Sequence, residues 1–366
     1  VRRRQIGDPG CLEIAPSHHP TSTSYEGGIV SRNSIFIARG GVIAAASVLA
    51  LTLASCSAAT TTPSAEGSAH ASKPTVAFVA AQMTSTYFQV MQCGAKEAAK
   101  KYGVDLDWQG AADWDLQTQT PLINAAVQSA PAGLVLVPTD PVGLIETVDN
   151  IAGDGMPVIT VDGSLDEPVE LQNIRTDNLS AGGLAADALA KSMGETGTVL
   201  VIASFPGVAA NAERVDGFAK QMAAKYPKIT VLPTEYSEAD QAKASQIAAA
   251  AITNPDLKGI YTTLAPASAG ASAAIQAANR AGEIKLVAYD SDPSQVEDLK
   301  AGIYDALVAQ DPYGLGYDSV ERIAKIVDGS LKADSLEHQE FVTAFIIDRD
   351  NVDTDEAQRY IYVPTC

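Results

Sequence analysis

Histidine and cysteine are scarce in this chain, with four of each in 366 residues. His18 and His19 lie near the start, His70 sits in a run of small residues, and only His338 is left for a folded body. A Ser-His-Asp or Cys-His nucleophilic set would depend on that one imidazole, and a histidine-rich metal site is excluded. Basic residues are also few: Lys and Arg total 25 against 44 Asp and Glu, for a net charge of −19. Such a surface repels phosphate backbones, which excludes nucleic acid as a partner. No G-x-G-x-x-G follows a strand-like run, and neither G-x-x-x-x-G-K-[ST] nor G-x-S-x-G occurs, so no cofactor is expected. No metal is expected either. Asp348 to Asp353 looks like a calcium loop, but Val352 takes the fifth position and Asp353 stands where Gly is needed.

Apolar runs long enough to span a bilayer are lacking too, but one short run is informative. Arg32 and Arg39 precede a segment from Gly41 to Leu53 that is almost wholly Ala, Val, Ile and Leu, as in the basic and apolar regions of a secretory signal. It ends in Leu53-Ala54-Ser55-Cys56, which resembles the bacterial lipoprotein signal, whose Cys is acylated before the leader is cut away. Residues 1–55 are thus expected to be a leader, with lipid on Cys56. A plain secretion signal with an incidental cysteine is the other reading. Residues 56–72 are small and polar and read as a flexible tether.

Two cysteines remain for the body, Cys93 and Cys366. On a helical wheel Val90, Met91, Ala95, Ala98 and Tyr102 form an apolar face, with Cys93 opposite among Gln89, Lys96 and Lys100. Outside the membrane, where oxidation is permitted, an unpaired thiol on a solvated face is unusual. A Cys93–Cys366 disulfide is expected, with two free thiols as the alternative.

From Thr75 onward, short β-rich apolar runs alternate with Ala-rich helical segments. Strands are expected at Thr75–Ala81, Val104–Trp108, Gly133–Val137 and Pro157–Val161, with helices near Tyr87–Tyr102, Thr118–Ala130 and Gly143–Ala152. After a break around Asp166–Arg175 the rhythm restarts with helix Ala181–Met193, strand Thr198–Ala203 and helix Val208–Lys225. It continues through strands Ile229–Pro233, Gly259–Thr263 and Ile284–Tyr289, with helices Gln241–Ile252 and Ala269–Ala281 between them. The pattern predicts an α/β protein of two doubly wound parallel-sheet lobes. Ligands of such sheets bind beyond the carboxyl ends of the strands.

Those ends carry the candidate site. The first strand runs into Ser85, Tyr87 and Phe88, adjacent aromatics of which one would pack inward and the other face the cleft. Asp162 and Asp290 each follow an apolar strand directly, where an unpartnered charge would be costly; either could instead cap a helix. Asn211 and Arg214 lie near a helix start, and Gln310 ends the strand Ala306–Ala309. Arg214 could alternatively pair with Glu213 or Asp216 in solvent. Trp114, in the loop after the second strand, is either an extra stacking face or a rim aromatic. Asp177 and Asn178 either cap the next helix or touch ligand.

From Lys73 to about Asp328 the chain resembles the ribose-binding-like solute-binding proteins of sugar ABC transporters, which have the type I periplasmic-binding fold. The resemblance rests on T-V-A-F-V with the following Y-F pair, P-V-I-T-V-D, T-D-N at 176–178, A-E-R-x-x-G-F at 212–218, V-A-Y-D at 287–290 and A-L-V-A-Q at 306–310. It implies two lobes joined by a three-strand hinge, with sugar held between them. Residues 73–176 with 311–338 would form one lobe and 177–310 with 339–347 the other, leaving 348–366 as a tail strapped to the first. Carried over, Tyr87 and Phe88 are cleft aromatics, Asp162 and Asp290 hydroxyl acceptors, Arg214 the donor and Gln310 a hinge-side contact.

The sequence departs from the ribose pattern at two positions. Gly163 follows Asp162 where ribose binders have Arg, and Leu264-Ala265 stands where they have Asn-Asp. A C-terminal Cys paired with a first-helix Cys resembles a branch that includes sugar-alcohol and uncommon-sugar binders. A tetritol, pentitol or uncommon pentose is therefore expected in place of ribose. The expected partner is a membrane permease with its cytoplasmic ATPase, served by a monomer lipid-anchored on the outer face of the cell membrane. A ligand sensor for a signalling partner is the alternative, and a glycosidase using Asp162 and Asp290 is a remoter one.

Overall fold

A computed structural model describes residues 73–366, and two parallel sheets organise them. The proposed leader, the tether and Cys56 lie outside the described residues. The first half of the chain runs β1 (Thr75–Ala80), α1 (Thr86–Tyr102), β2 (Asp105–Gly110), α2 (Leu116–Gln128), β3 (Gly133–Leu136), α3 (Ile145–Gly153), β4 (Val158–Val161) and β5 (Gln172–Thr176). It then passes through α4 (Asn178–Ser192), β6 (Gly197–Ala203), α5 (Ala209–Lys225), β7 (Ile229–Val231), β8 (Glu235–Tyr236), α6 (Gln241–Ile252) and β9 (Leu257–Thr262). The remainder is α7 (Ala265–Ala277), β10 (Lys285–Tyr289), α8 (Pro293–Lys300), β11 (Ala306–Ala309), α9 (Pro312–Val327), β12 (Gln339–Val342), β13 (Phe345–Asp348) and α10 (Asp355–Gln358).

The first sheet has the order β12-β5-β4-β3-β1-β2 and the second β13-β11-β10-β9-β6-β7, with β8 beside β6. All pairs are parallel except β11 with β13. Inner strands such as β3, β4 and β11 are buried along their whole length, because helices cover both faces; that is why they read as unbroken apolar runs. Helix starts follow local chemistry: the side chains of Asp115, Asp177, Asp240 and Asp311 each accept from a backbone N–H in the first turn.

The chain crosses between the sheets after β5, after β11 and between β12 and β13. The last crossing differs from the expected boundary. Residues 339–342, expected in the second lobe, form an edge strand of the first sheet, with Gln339 opposite Asn173 and Val342 opposite Thr176. The segment read as a break, Asp166–Arg175, contains most of β5, whose polar residues are buried by hydrogen bonding: Asn173 Nδ2 donates to Thr160 Oγ1 and to the Gly163 carbonyl.

Cys93 and Cys366 are joined by a disulfide. Cys93 is only 7% exposed, although Lys96 and Lys100 on the same side of α1 are exposed as the wheel predicts. Helix α9 lies against it so closely that a Cβ on Gly94 would stand 2.0 Å from the Tyr313 carbonyl oxygen. The tail also differs from expectation. Val352 and Ala357 are buried in the core of the second lobe, Tyr360 stacks on Phe345 there, and the tail reaches the first lobe only from Tyr362 onward.

Candidate functional site

The strands that end in Asp162 and Asp290 hold corresponding places in the two sheets, each flanked on both sides by parallel neighbours. Both acids take the left-handed backbone region, φ 63° for Asp162 and 74° for Asp290. The Asp162 N–H donates to the Ile174 carbonyl and the Asp290 N–H to Val308, so the next strand in each sheet fixes the turn. Left-handed backbone at a residue other than glycine costs on the order of 1–3 kcal/mol, and such strain gathers at functional positions. Neither acid caps a helix: α8 is capped by Asp292, and no helix follows Asp162 until α4.

On the first lobe, α1 starts at the carboxyl end of β1 and brings in Tyr87, whose hydroxyl donates to Asp162 Oδ1 at 2.7 Å. Phe88 meets Tyr87 edge-on at 5.2 Å, and the Trp114 ring lies 6.3 Å from Phe88. Tyr87 and Phe88 are both buried in the first lobe's core cluster, so the expected split between a core ring and a cleft ring does not hold. Trp114 is 50% exposed, with Nε1 donating to the Thr139 carbonyl, and forms a rim beside Phe88. Ser85 is the half-buried N-cap of α1 and makes no side-chain cap bond.

On the second lobe, α4 and α5 meet through glycine. A Cβ on Gly217 would lie 1.9 Å from the Leu179 carbonyl oxygen, and one on Gly182 would lie 2.1 Å from that of Arg214. This approach sets the buried Arg214 against Asn178, whose Oδ1 accepts from Nε at 2.7 Å. Nη1 donates to the Thr263 carbonyl at 2.9 Å, Nη2 reaches Gln310 Oε1 at 3.4 Å, and the guanidinium lies 3.7 Å from the Tyr289 ring centre. Asn211 accepts from the Thr263 hydroxyl beside it. Gln310 is the junction: Oε1 also accepts from Thr176 Oγ1 at 2.9 Å, and Nε2 donates to Asp290 Oδ1 at 2.9 Å. Glu213 turns away from Arg214 and holds Arg175 of β5 in a two-pronged ion pair.

Both acids feel the charge of the Arg214 guanidinium without bonding to it directly, and Gln310 links Asp290 to it. Burial pushes the pKa of Asp162 above the usual carboxylate value, against the Tyr87 hydrogen bond and Arg214, which lower it. Burial likewise raises Asp290, opposed by Arg214, Gln310, Tyr362 and the Ala265 N–H at the start of α7. Desolvation works against the Arg214 charge, but Tyr289 and Asp290 outweigh it and hold the guanidinium protonated. Carboxylates that accept, amides that do both and a guanidinium that donates form a donor set suited to a neutral molecule rich in hydroxyls.

A family model described as the periplasmic binding protein domain matches residues 76–331. The chain belongs to that family. Among the relatives of this periplasmic binding protein, the ribose import binding protein RbsB of Salmonella typhimurium is 29% identical over 282 residues, covering 76% of this chain and 92% of the relative. A xylitol-binding protein of Mycolicibacterium smegmatis is 23% identical over 315 residues, 86% of each chain. An ABC transporter solute-binding protein of Agrobacterium vitis, solved with α-D-tagatopyranose, superposes with a TM-score of 0.73 at 31% identity, covering 80% of this chain and all of the other. The two-lobed architecture is the type I periplasmic-binding fold.

Sequence reasoning missed several parts of this periplasmic binding protein's site. Thr263 and Tyr289 bear on Arg214, and Tyr289 could have been noticed as the residue directly before Asp290. The T-D-N run divides its roles: Asp177 caps α4 by accepting from the Ser180 N–H, while Asn178 is buried against Arg214. Tyr362 has no sequence signal. It lies in the tail, 200 residues beyond Asp162, yet its hydroxyl donates to Asp290 Oδ1 at 3.2 Å.

Proposed function

We propose that this periplasmic binding protein is the solute-binding lipoprotein of an ABC importer and captures a small sugar or sugar alcohol between its lobes. The placing of Asp162 and Asp290 at matching strand ends of opposite lobes, with Gln310 linking Asp290 to the buried Arg214, carries this reading. Asp162, Asp290 and Gln310 accept from ligand hydroxyls, and Arg214 and Asn211 donate, while Tyr87 and Phe88 cover C–H surface with Ser85 and Trp114 at the mouth. The ligands for which relatives and structural neighbours are named, which include ribose, xylitol and tagatose, support this substrate class.

A tetritol, pentitol or uncommon pentose is favoured over ribose. Gly163 is packed so tightly that a Cβ there would meet the Pro138 carbonyl oxygen at 2.9 Å, which supports a site built without an Arg at that position. Leu264 packs on the second lobe's core, which supports an apolar patch in place of an amide pair. Cys56 is the proposed anchor, holding the monomer at the outer face of the cell membrane for its permease, and no helix among the described residues is long and apolar enough to cross a membrane. Closure on ligand supplies the surface the permease reads.

A thermal-shift screen of tetritols, pentitols, pentoses and hexoses tests the reading, because a ligand bound only by the folded form raises Tm. A rise with a polyol or rare pentose larger than with ribose is expected. No rise with any of them contradicts the function. Conversion of a glycoside to products would favour an enzyme.

A further inference from the structure

The tail is attached to both lobes at the point where the site is assembled. Up to Tyr362 its backbone belongs to the second lobe: the Ser291 hydroxyl donates to the Tyr360 carbonyl, and the Tyr362 N–H donates to the Ser291 carbonyl at 3.1 Å. The Tyr362 side chain then crosses. Its ring meets Tyr87 edge-on at 5.7 Å within the first lobe's core cluster, and it is 1% exposed. Its hydroxyl stays with the second lobe, donating to Asp290 Oδ1 at 3.2 Å and accepting from the Gln310 N–H at 3.3 Å. Four residues later Cys366 is bonded to Cys93 on α1 of the first lobe.

We infer that the disulfide-strapped tail is a working component of the binding site, in which Tyr362 is a positioning residue that couples Asp290 of one wall to Tyr87 of the other. The inference rests on the binding function proposed above. In this role Tyr362 acts through the two groups it touches. Tyr87 in turn holds Asp162, so two phenols in edge contact stand between the acids of the two lobes. The strap is short: the four residues from Tyr362 to Cys366 span at most about 14 Å when fully extended. An opening of the cleft that separates Ser291 from Cys93 beyond that reach must pull Tyr362 off one of its partners. An opening of that size would break a contact of Tyr362, so the strap would favour the arrangement in which both walls hold it.

The test compares the full oxidised chain with Tyr362→Phe, Cys366→Ser and the double variant, each titrated calorimetrically with xylitol, erythritol, D-arabinose and D-tagatose across a pH series. Tyr362→Phe keeps the ring and removes one donor from Asp290, which is also faced by Arg214, Asp162, Asp292, Tyr87, Tyr261 and Tyr289. Affinity is expected to fall about three- to tenfold, less than for loss of a direct bond to a charged group because the effect passes through Asp290, and the acid limb of the affinity profile to move to higher pH. Cys366→Ser is expected to weaken binding of the same ligand, with the double variant losing less than the product of the two effects. A Tyr362→Phe chain with unchanged affinity and an unmoved acid limb overturns the inference, whatever happens to its Tm, because the tail would then be structural only. If the unaltered chain binds none of the four probes, the binding function itself fails and the inference falls with it; if it binds, the two outcomes separate.

Discussion

Asp162 and Asp290 are counterparts: each leaves a buried inner strand in left-handed backbone, and each feels the charge of Arg214 without a direct bond to it. The charge of Asp290 adds to the upward push on Asp162, so the arrangement keeps two desolvated acids near each other without ligand. Hydroxyl donors would relieve that cost on binding, which is the physical basis for affinity here.

Asp290→Asn tests the cost and the benefit together. Asn tolerates left-handed backbone, so the variant is expected to fold. Loss of a charge-assisted acceptor is worth about 1.5–3 kcal/mol, or roughly 10- to 150-fold in affinity. The ligand-free protein is expected to melt higher at neutral pH, because a buried charge is gone. Calorimetry and thermal denaturation read the two effects, and unchanged affinity would remove Asp290 from the site.

The pH dependence follows from the direction of the same shifts. An acid whose folded pKa is raised binds protons more readily folded than unfolded, so its contribution to stability falls as pH rises from the ordinary carboxylate value through the raised one. Ligand affinity runs the other way, since the ionised acids are the acceptors. The ligand-induced rise in Tm is expected to shrink on acidification at pH values above the ordinary carboxylate pKa of 3.8. An increment that stays constant down to that value would contradict the role of both acids.

The βα rhythm was legible because inner strands covered on both faces are mostly apolar, as in residues 76–80, 158–161 and 286–289, where Thr160 is the one polar residue apart from the Tyr289 hydroxyl. The strand-exit acids followed from it. β5 was not legible: Gln172, Asn173, Arg175 and Thr176 are polar residues buried by specific partners, which no periodicity reveals. The close approach of α9 to α1 was not legible because it runs through Gly94 and Gly316, and glycine adds no apolar signal. Tyr362 was hidden because its partners Tyr87 and Asp290 are remote in sequence.

Gly217→Ala is expected to force α4 and α5 apart, since the added Cβ would lie 1.9 Å from the Leu179 carbonyl oxygen. Overpacking of this kind costs about 1–3 kcal/mol, read as a lower denaturation midpoint. Binding is expected to weaken as well, because the same helix contact places Arg214 beside Asn178. Full affinity in a folded Gly217→Ala chain would show that Arg214 does not depend on that contact.

Arg175 of the first sheet and Glu213 of α5 form an ion pair between the lobes, at 2.6 Å. With the Arg175 side chain 10% exposed and Glu213 32%, Glu213→Gln is expected to cost about 1–2 kcal/mol, between surface and buried pairs. Small-angle scattering of the ligand-free variant is expected to give a larger radius of gyration. An unchanged radius with unchanged stability would mean that the pair does not bias the lobes.

The most direct measurement is a crystal structure of the protein with the polyol or sugar that shifts its melting temperature most. Hydroxyl oxygens of that ligand are predicted to lie about 2.5–3.2 Å from the carboxylates of Asp162 and Asp290 and from the Arg214 guanidinium, with both lobes touching it. A ligand bound elsewhere, or held by one lobe with Arg214 still turned to Asn178 and Gln310 alone, would contradict the account.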